Sequence, residues 1–134
     1  MPAVVQTPPR LSDGTPFPTF YYATCPRLTG AISTLESSGL MAEMNDRLAN
    51  DADLAASYRK AHEAYLADRN ALGVVVDEVE GISAGGMPDR VKCLHSLVAH
   101  SLSAGPGVNP LGDEALSKLP EWWIENSCNS EMDL

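Results

Sequence analysis

Three cysteines and three histidines are the side chains of this 134-residue chain that are best suited to bind a metal ion. Cys25, Cys93 and Cys128 lie far apart along the chain, and His95 follows Cys93 by two positions. In ligand type, a site built from the three thiolates suits zinc or an iron–sulfur cluster. The close Cys-x-x-Cys spacing typical of such sites is absent, so a simple buried thiol is the alternative interpretation of Cys93.

The helical pattern around Cys93 restricts its partners. Residues two apart on a regular helix differ by about 200° in direction, so Cys93 and His95 are predicted to point to opposite sides. His100 returns to the face of Cys93, but about 10.5 Å further along the helix axis. An ion shared along one regular helix would be strained, and Cys93 is expected to find its partners elsewhere, with Cys25 and Cys128 as candidates.

A second set of polar side chains follows one face of a predicted long helix. Tyr58, His62, Tyr65 and Arg69 recur at steps of four, three and four and form a continuous stripe. Burying such groups in a dry core is costly, so the stripe is expected either to face solvent or to line a polar pocket. In a pocket, His62, Tyr65 and Arg69 are candidates for proton transfer or for binding an anion.

The glycine-dense segment 81–88 suggests an anion site. It is predicted to lead directly into a helix over residues 88–104, where Gly85 and Gly86 would expose backbone N–H groups beside Arg90 and Lys92. The spacing matches neither the phosphate loop nor the dinucleotide fingerprint, and acidic residues precede it. A capped connection between helices is the alternative.

The elements that must position these groups follow from proline and hydrophobic spacing. Six of the ten prolines fall in the first 26 residues, and none occurs from residue 27 to 87, which indicates an extended first quarter and a helical middle. Two strands are predicted near residues 3–6 and 17–24, the second covered on both faces. Helices are predicted over 28–38, 41–49, 52–72 and 88–104, with a short amphipathic piece ending at Trp122 and Trp123.

Composition excludes several classes of function. The net charge of −9 disfavours nucleic acid as a partner, no stretch is long and apolar enough to span a membrane, and no signal peptide is recognisable. Three dispersed cysteines favour reduced thiols and a cytoplasmic protein. We expect one globular domain over residues 1–124 and an acidic tail over 125–134. Trp122 and Trp123 are expected to close the core; an exposed tryptophan beside the acidic tail would instead dock a protein partner.

Several blocks of the sequence together carry a family resemblance: Pro9–Thr19, Thr24–Leu28, Ala61–Glu63 with Tyr65, Gly81–Ile82 with Gly85–Gly86, Val91–His95 with Ala99–His100, and Asn109–Gly112. With these blocks the chain resembles domain-of-unknown-function family 501, an uncharacterised bacterial and mainly actinobacterial family. The resemblance implies a further N-terminal segment before this chain and a neighbourhood of cell-division genes. It also implies that the blocks holding the cysteines and histidines are characteristic of the family.

We therefore predict an α+β domain in which an N-terminal β-hairpin packs against a bundle of four to five helices. The leading hypothesis is a zinc or iron–sulfur site formed by Cys25, Cys93, His95 and Cys128. The alternatives are an enzyme or sensor that binds a small phosphorylated, anionic ligand at the glycine-rich segment, and a non-catalytic protein-interaction domain linked to cell division. Catalysis itself and homo-oligomer formation are left open.

Overall fold

A computed structural model describes residues 3–6, 19–71 and 81–120 of the chain. These residues form a two-stranded antiparallel sheet and five helices. The predicted α+β architecture, a hairpin followed by helices, is confirmed. In chain order the elements are β1 (Val4–Gln6), β2 (Tyr21–Ala23), α1 (Pro26–Glu36), α2 (Leu40–Asn50), α3 (Ala52–Asn70), α4 (Leu94–Ala104) and α5 (Pro110–Ser117).

The hairpin pairs short strands in a fixed register. Val4 lies opposite Ala23, and Val5 lies opposite Tyr22. Side chains alternate along β2: Tyr21 and Ala23 are buried, whereas Tyr22 is 50% exposed. The prediction that this strand is covered on both faces is therefore wrong, because only one face packs against the helices.

The first three helices begin and end at signals that the sequence carries. Pro26 occupies the first turn of α1, where its missing N–H costs no hydrogen bond. Gly39 adopts a left-handed conformation, with φ of 87°, between α1 and α2. The Asp51 side chain accepts a hydrogen bond of 3.0 Å from the Leu54 N–H and so caps α3. Gly39 is thus the N-cap residue of α2, whereas α1 ends earlier, at Glu36 with Ser37 as its C-cap.

The fourth helix begins six residues later than predicted, at Leu94 rather than at residue 88. The reason lies in Val91, whose N–H donates to Asn45 Oδ1 at 2.7 Å and whose carbonyl accepts from Asn45 Nδ2 at 3.1 Å. The Lys92 N–H donates to the Gly85 carbonyl at 2.7 Å. With these groups bonded elsewhere, residues 81–93 form turns and an extended stretch, and the glycine-rich segment does not open a helix.

The short helix α4 is the centre of the fold. Six of its residues are buried, and it packs against α5, α1 and both strands. Gly112 of α5 lies directly against the Leu97 carbonyl and the Ser101 hydroxyl, so a side chain at this position would collide with α4. Close contact between these two helices thus depends on the missing Cβ.

Within the described ranges no helix is both long and apolar enough to cross a membrane. Trp122, Trp123 and the predicted acidic tail lie outside the described residues, as does the predicted end of the third helix at Leu72.

Candidate metal centre

Glu36, Cys93 and His95 form a cluster of metal-binding side chains where the end of α1 meets the beginning of α4. One ligand atom from each residue lies within 4.8 Å of the others. All three side chains are partly buried, with 30% of the His95 side chain and 22% of the Glu36 side chain exposed. Carboxylate, thiolate and imidazole are all zinc ligands, so the cluster offers three donors to one ion.

Cys93 and His95 meet because the helix starts between them. Cys93 precedes the first turn of α4, with φ of −151° and ψ of 118°, whereas His95 is its second residue. The prediction that the two side chains point to opposite sides assumed a regular helix through both positions. It is wrong for that reason, since the extended backbone at Cys93 brings its side chain to the side of His95.

Glu36 was not recognised in the sequence as a site residue. It is the last residue of α1, where the helix dipole disfavours a negative charge. Its Oε2 accepts a hydrogen bond of 2.8 Å from the Leu94 N–H, so the carboxylate caps the N-terminus of α4 instead. An acid at the C-terminus of a helix is unfavourable unless a donor or a cation compensates it, and this is the signal in the sequence that could have pointed to Glu36.

Both ring nitrogens of His95 lie beside oxygen atoms. Its Nδ1 lies 3.2 Å from Glu36 Oε2, and its Nε2 lies 3.3 Å from both the Thr29 carbonyl oxygen and the Ser33 hydroxyl. A neutral ring with its proton on Nδ1 donates to Glu36 and accepts from Ser33. With its proton on Nε2, the ring donates to the Thr29 carbonyl instead, and the Nδ1 lone pair is available to a metal ion shared with Glu36.

Each of the three side chains is also held by a neighbouring polar group. Ser33 Oγ lies 3.3 Å from His95 Nε2, on the same side of the ring as the Thr29 carbonyl. The Ser96 hydroxyl points to Cys93 Sγ at 3.9 Å. Metal-binding histidines usually donate their second ring N–H to a carbonyl or carboxylate, which fixes the tautomer. The contacts of His95 and Glu36 have that form.

A cavity of about 510 Å³ opens beside the cluster. Cys93 and His95 contribute to its wall, and strand β2 forms much of the remainder through Tyr21, Tyr22 and Ala23. The other lining residues in the described ranges carry hydroxyl groups: Thr19, Thr29 and Ser96. A small molecule in this cavity would therefore contact two of the three clustered side chains.

The other two predicted metal ligands are not in this cluster. Cys25 is fully buried before α1 and is disulfide-bonded, whereas Cys93 is a free thiol. The interpretation of all three cysteines as reduced thiols therefore fails at Cys25. Cys128 lies outside the described residues. An iron–sulfur cluster needs several thiolates, and the described part of the chain offers one free thiol.

The polar stripe of α3 faces inward. The Tyr58 hydroxyl donates to the Arg90 carbonyl at 3.0 Å, His62 Nδ1 lies 2.7 Å from Ser83 Oγ, and Arg69 donates to the Ile82 carbonyl at 2.6 Å. The solvent-facing alternative is therefore wrong. These side chains bond the glycine-rich segment and fix its position against α3.

The fourth member of the stripe binds the hairpin instead. The Tyr65 hydroxyl accepts hydrogen bonds from the backbone N–H groups of Phe20 and Tyr21. Burial raises the pKa of Tyr65 and lowers that of Arg69. Burial, followed by the charge of Arg59, lowers the pKa of His62, so this imidazole is held in its neutral form.

The predicted anion-binding residues do line one depression, of about 370 Å³. Gly85, Gly86, Arg90 and Lys92 all contribute, but so does the carboxylate of Asp89. The Gly86 carbonyl accepts from the Arg90 N–H at 3.1 Å, which closes a turn rather than a helix. The helix N-terminus that would attract an anion lies instead at Leu94, where Glu36 caps it.

His100 is the most deeply buried histidine, and its ring stacks on Tyr21 with centroids 5.8 Å apart. Its Nδ1 lies 3.2 Å from Asn109 Nδ2, which donates because Asn109 Oδ1 already accepts from the Gly112 N–H at 2.9 Å. Its Nε2 has no hydrogen-bond partner among the described residues. Burial lowers the pKa of His100, consistent with a neutral ring.

The fold and the cluster together define a small α+β protein with a candidate metal centre where the end of α1 meets the beginning of α4. The chain belongs to the family described as "Protein of unknown function (DUF501)", whose model matches residues 1–117. No curated protein and no solved structure shows significant similarity to it. The predicted family is thus confirmed.

Proposed function

We propose that this protein binds a single divalent transition-metal ion of the zinc type through Glu36, Cys93 and His95. The observation that carries the proposal is that one ligand atom from each of these side chains lies within 4.8 Å of the others, with His95 Nδ1 3.2 Å from Glu36 Oε2. With the His95 proton on Nε2, where the Thr29 carbonyl accepts it, a metal ion would bind both Nδ1 and Oε2. It would also explain the free thiol of Cys93 at the same place.

The donor set matches the charge of a divalent ion. When bound to a metal, the Glu36 carboxylate and the Cys93 thiolate carry two negative charges and a neutral His95 adds none, so a divalent ion makes the centre neutral. The mixed oxygen, sulfur and nitrogen donor set suits zinc, which accepts all three, better than magnesium or calcium, which prefer oxygen.

Metal analysis tests the proposal. Protein with reduced Cys93 is loaded with Zn²⁺ or Co²⁺, dialysed, and assayed for bound metal. We expect about one equivalent per chain, and a thiolate-to-cobalt charge-transfer band in the Co²⁺ form. The substitutions Cys93→Ser, His95→Gln and Glu36→Gln should each weaken metal binding by at least about tenfold, since second-shell changes alone cost this much.

A matched control is Glu63→Gln, which removes an exposed carboxylate from α3 and should leave metal binding unchanged. The proposal is overturned if the chain retains no metal, or if Cys93→Ser binds Co²⁺ as tightly as the parent and with the same spectrum.

The glycine-rich depression receives less support as the principal site. Its basic residues Arg90 and Lys92 are exposed, and Asp89 shares the same depression. The stripe residues His62 and Arg69 already bond to Ser83 and to the Ile82 carbonyl. These contacts favour a structural role for the stripe in holding the segment, with the metal centre as the site of chemistry.

A further inference from the structure

The cavity beside the cluster bears on what the metal centre binds. Two of the three proposed ligands, Cys93 and His95, lie in the cavity wall, whereas Glu36, at the end of α1, is not among the described residues that line it. Structural zinc sites have four protein ligands and are closed to solvent, while sites that bind substrate keep a position open. Three protein ligands beside a cavity of about 510 Å³ correspond to a site that keeps one coordination position open.

We infer, on the basis of the proposed metal site, that the bound ion keeps an open coordination position facing this cavity and takes an uncharged organic ligand there through a nitrogen or oxygen lone pair. The ligand is small, because the cavity volume lies at the lower end of the range for sites that bind small molecules, roughly 300–1,000 Å³.

The wall of the cavity explains why the ligand is uncharged. Among the described residues that line it, none is Lys, Arg, Asp or Glu. Burying an ionic group beside such a wall would cost its hydration without a charged partner. The metal centre gives no compensation either, because the charges of Glu36 and Cys93 cancel that of a divalent ion.

The same wall offers partners to a neutral polar molecule. Thr19, Thr29 and Ser96 present hydroxyl groups, which both donate and accept hydrogen bonds. Tyr21, Tyr22 and Ala23 supply the apolar surface of β2. This mixture of a few hydroxyls with aromatic and aliphatic surface is typical of pockets for small uncharged molecules.

A cobalt titration with two probes tests the inference. Imidazole, an uncharged nitrogen donor at about pH 8, and inorganic phosphate are added separately to the Co²⁺-loaded protein while its visible spectrum is recorded. We expect imidazole to change the cobalt ligand-field bands in a saturable way, and phosphate at equal concentration to leave them unchanged.

Two results would overturn this inference while leaving the metal site intact: Co²⁺ binds but imidazole does not change its spectrum, or phosphate changes the spectrum at lower concentration than imidazole. Failure of the chain to bind Co²⁺ at all would overturn the proposed function, and this inference with it.

A second experiment fills the cavity. Ala23→Leu adds a bulky side chain to the wall, and Tyr22→Trp enlarges a half-exposed residue in the same wall. Two variants are used so that the experiment does not depend on the folding of one of them. Either variant should weaken imidazole binding at least tenfold with Co²⁺ affinity retained. Ala56→Leu, on the exposed face of α3, is the control and should bind both as the parent does. Unchanged imidazole binding in both folded cavity variants would refute binding through this cavity.

Discussion

Single side chains in this protein join elements that are far apart in the sequence. The Tyr65 hydroxyl, on α3, is the acceptor for two backbone N–H groups at the beginning of β2. The Tyr21 hydroxyl donates in turn to Asp68 at 2.8 Å, one turn further along α3. Aromatic residues therefore hold the hairpin against the long helix by hydrogen bonds as well as by packing.

Replacing Tyr65 by phenylalanine tests this at the residue scale. The substitution keeps the ring and its edge contact with His100 but leaves two buried N–H groups without their acceptor. We expect a loss of about 1–3 kcal/mol in the free energy of unfolding, measured by urea denaturation.

The control is Tyr22→Phe, because the Tyr22 side chain is half exposed and water can replace any hydrogen bond that its hydroxyl makes. A Tyr65→Phe protein as stable as Tyr22→Phe would show that the hydroxyl of Tyr65 does not contribute to stability.

The sequence predicted two residues of the candidate metal centre, Cys93 and His95, and not the third, Glu36. Cys93 and His95 were recognisable by type, but their meeting depends on where α4 starts, and that position is set by Asn45, nearly fifty residues away. Glu36 carries only a weak local signal, an acid near the end of a helix, because its partners, Leu94 and His95, come from a different helix. Local pattern shows which side chains are suitable, whereas tertiary contacts decide which of them meet.

At the scale of elements, α4 and α5 approach so closely that one glycine is required between them. The backbone of Gly112 is not left-handed, so glycine is not needed there for its conformational freedom. It is needed because a Cβ at this position would collide with Leu97 and Ser101. In an open helix, replacing glycine by alanine is favourable because alanine restricts the unfolded chain. Close packing should reverse that sign here.

We therefore expect opposite effects from two glycine-to-alanine substitutions in helices. Gly112→Ala should destabilise the protein by about 1–3 kcal/mol through overpacking. Gly30→Ala, in the exposed middle of α1 with nothing within 4 Å of the added Cβ, should stabilise it by about 0.5–1 kcal/mol. Thermal unfolding of the two variants measures both effects, and a shift of the same sign in both would contradict the assigned packing.

The elements themselves were largely predictable, since strands, caps and three helices follow from local signals. The prolines before residue 27 and the spacing of apolar residues on α1, α2 and α3 act within a few residues. The start of α4 was not predictable in this way. Residues 88–93 have a helical pattern, but bonds from α2 and α3 to their backbone override it.

At the scale of the whole molecule, two buried histidines connect stability to pH. Burial lowers the pKa of both His62 and His100 from the ordinary value of 6.5. The charges of Arg59 and Arg69 lower that of His62 further, whereas the acids near each ring act in the opposite direction without reversing the shift. Both rings are therefore neutral in the folded protein under conditions that protonate them in the unfolded chain.

The sign of the pH effect follows from these shifts. As pH falls through 6.5, the unfolded chain takes up protons that the folded protein does not, so the free energy of unfolding decreases. Urea unfolding at about pH 8 and about pH 5 should show this loss. The double variant His62→Gln with His100→Gln should be less stable at the higher pH but lose less on acidification. An equal loss in the parent and the double variant would contradict the assignment.

The glycine-rich segment has a consequence for how the molecule moves. Residues 87–92 form neither helix nor strand, yet each of their backbone N–H groups donates a hydrogen bond, and Pro88 has none to donate. Amides held in this way are shielded from exchange with solvent as long as their acceptors stay in place. One of those acceptors belongs to α2, and α3 donates to the Arg90 carbonyl in this stretch and to the Ile82 carbonyl before it. Opening of residues 87–92 is therefore coupled to separation from α2 and α3, and we expect these amides, in a part of the chain that looks like a loop, to exchange as slowly as those of a core helix.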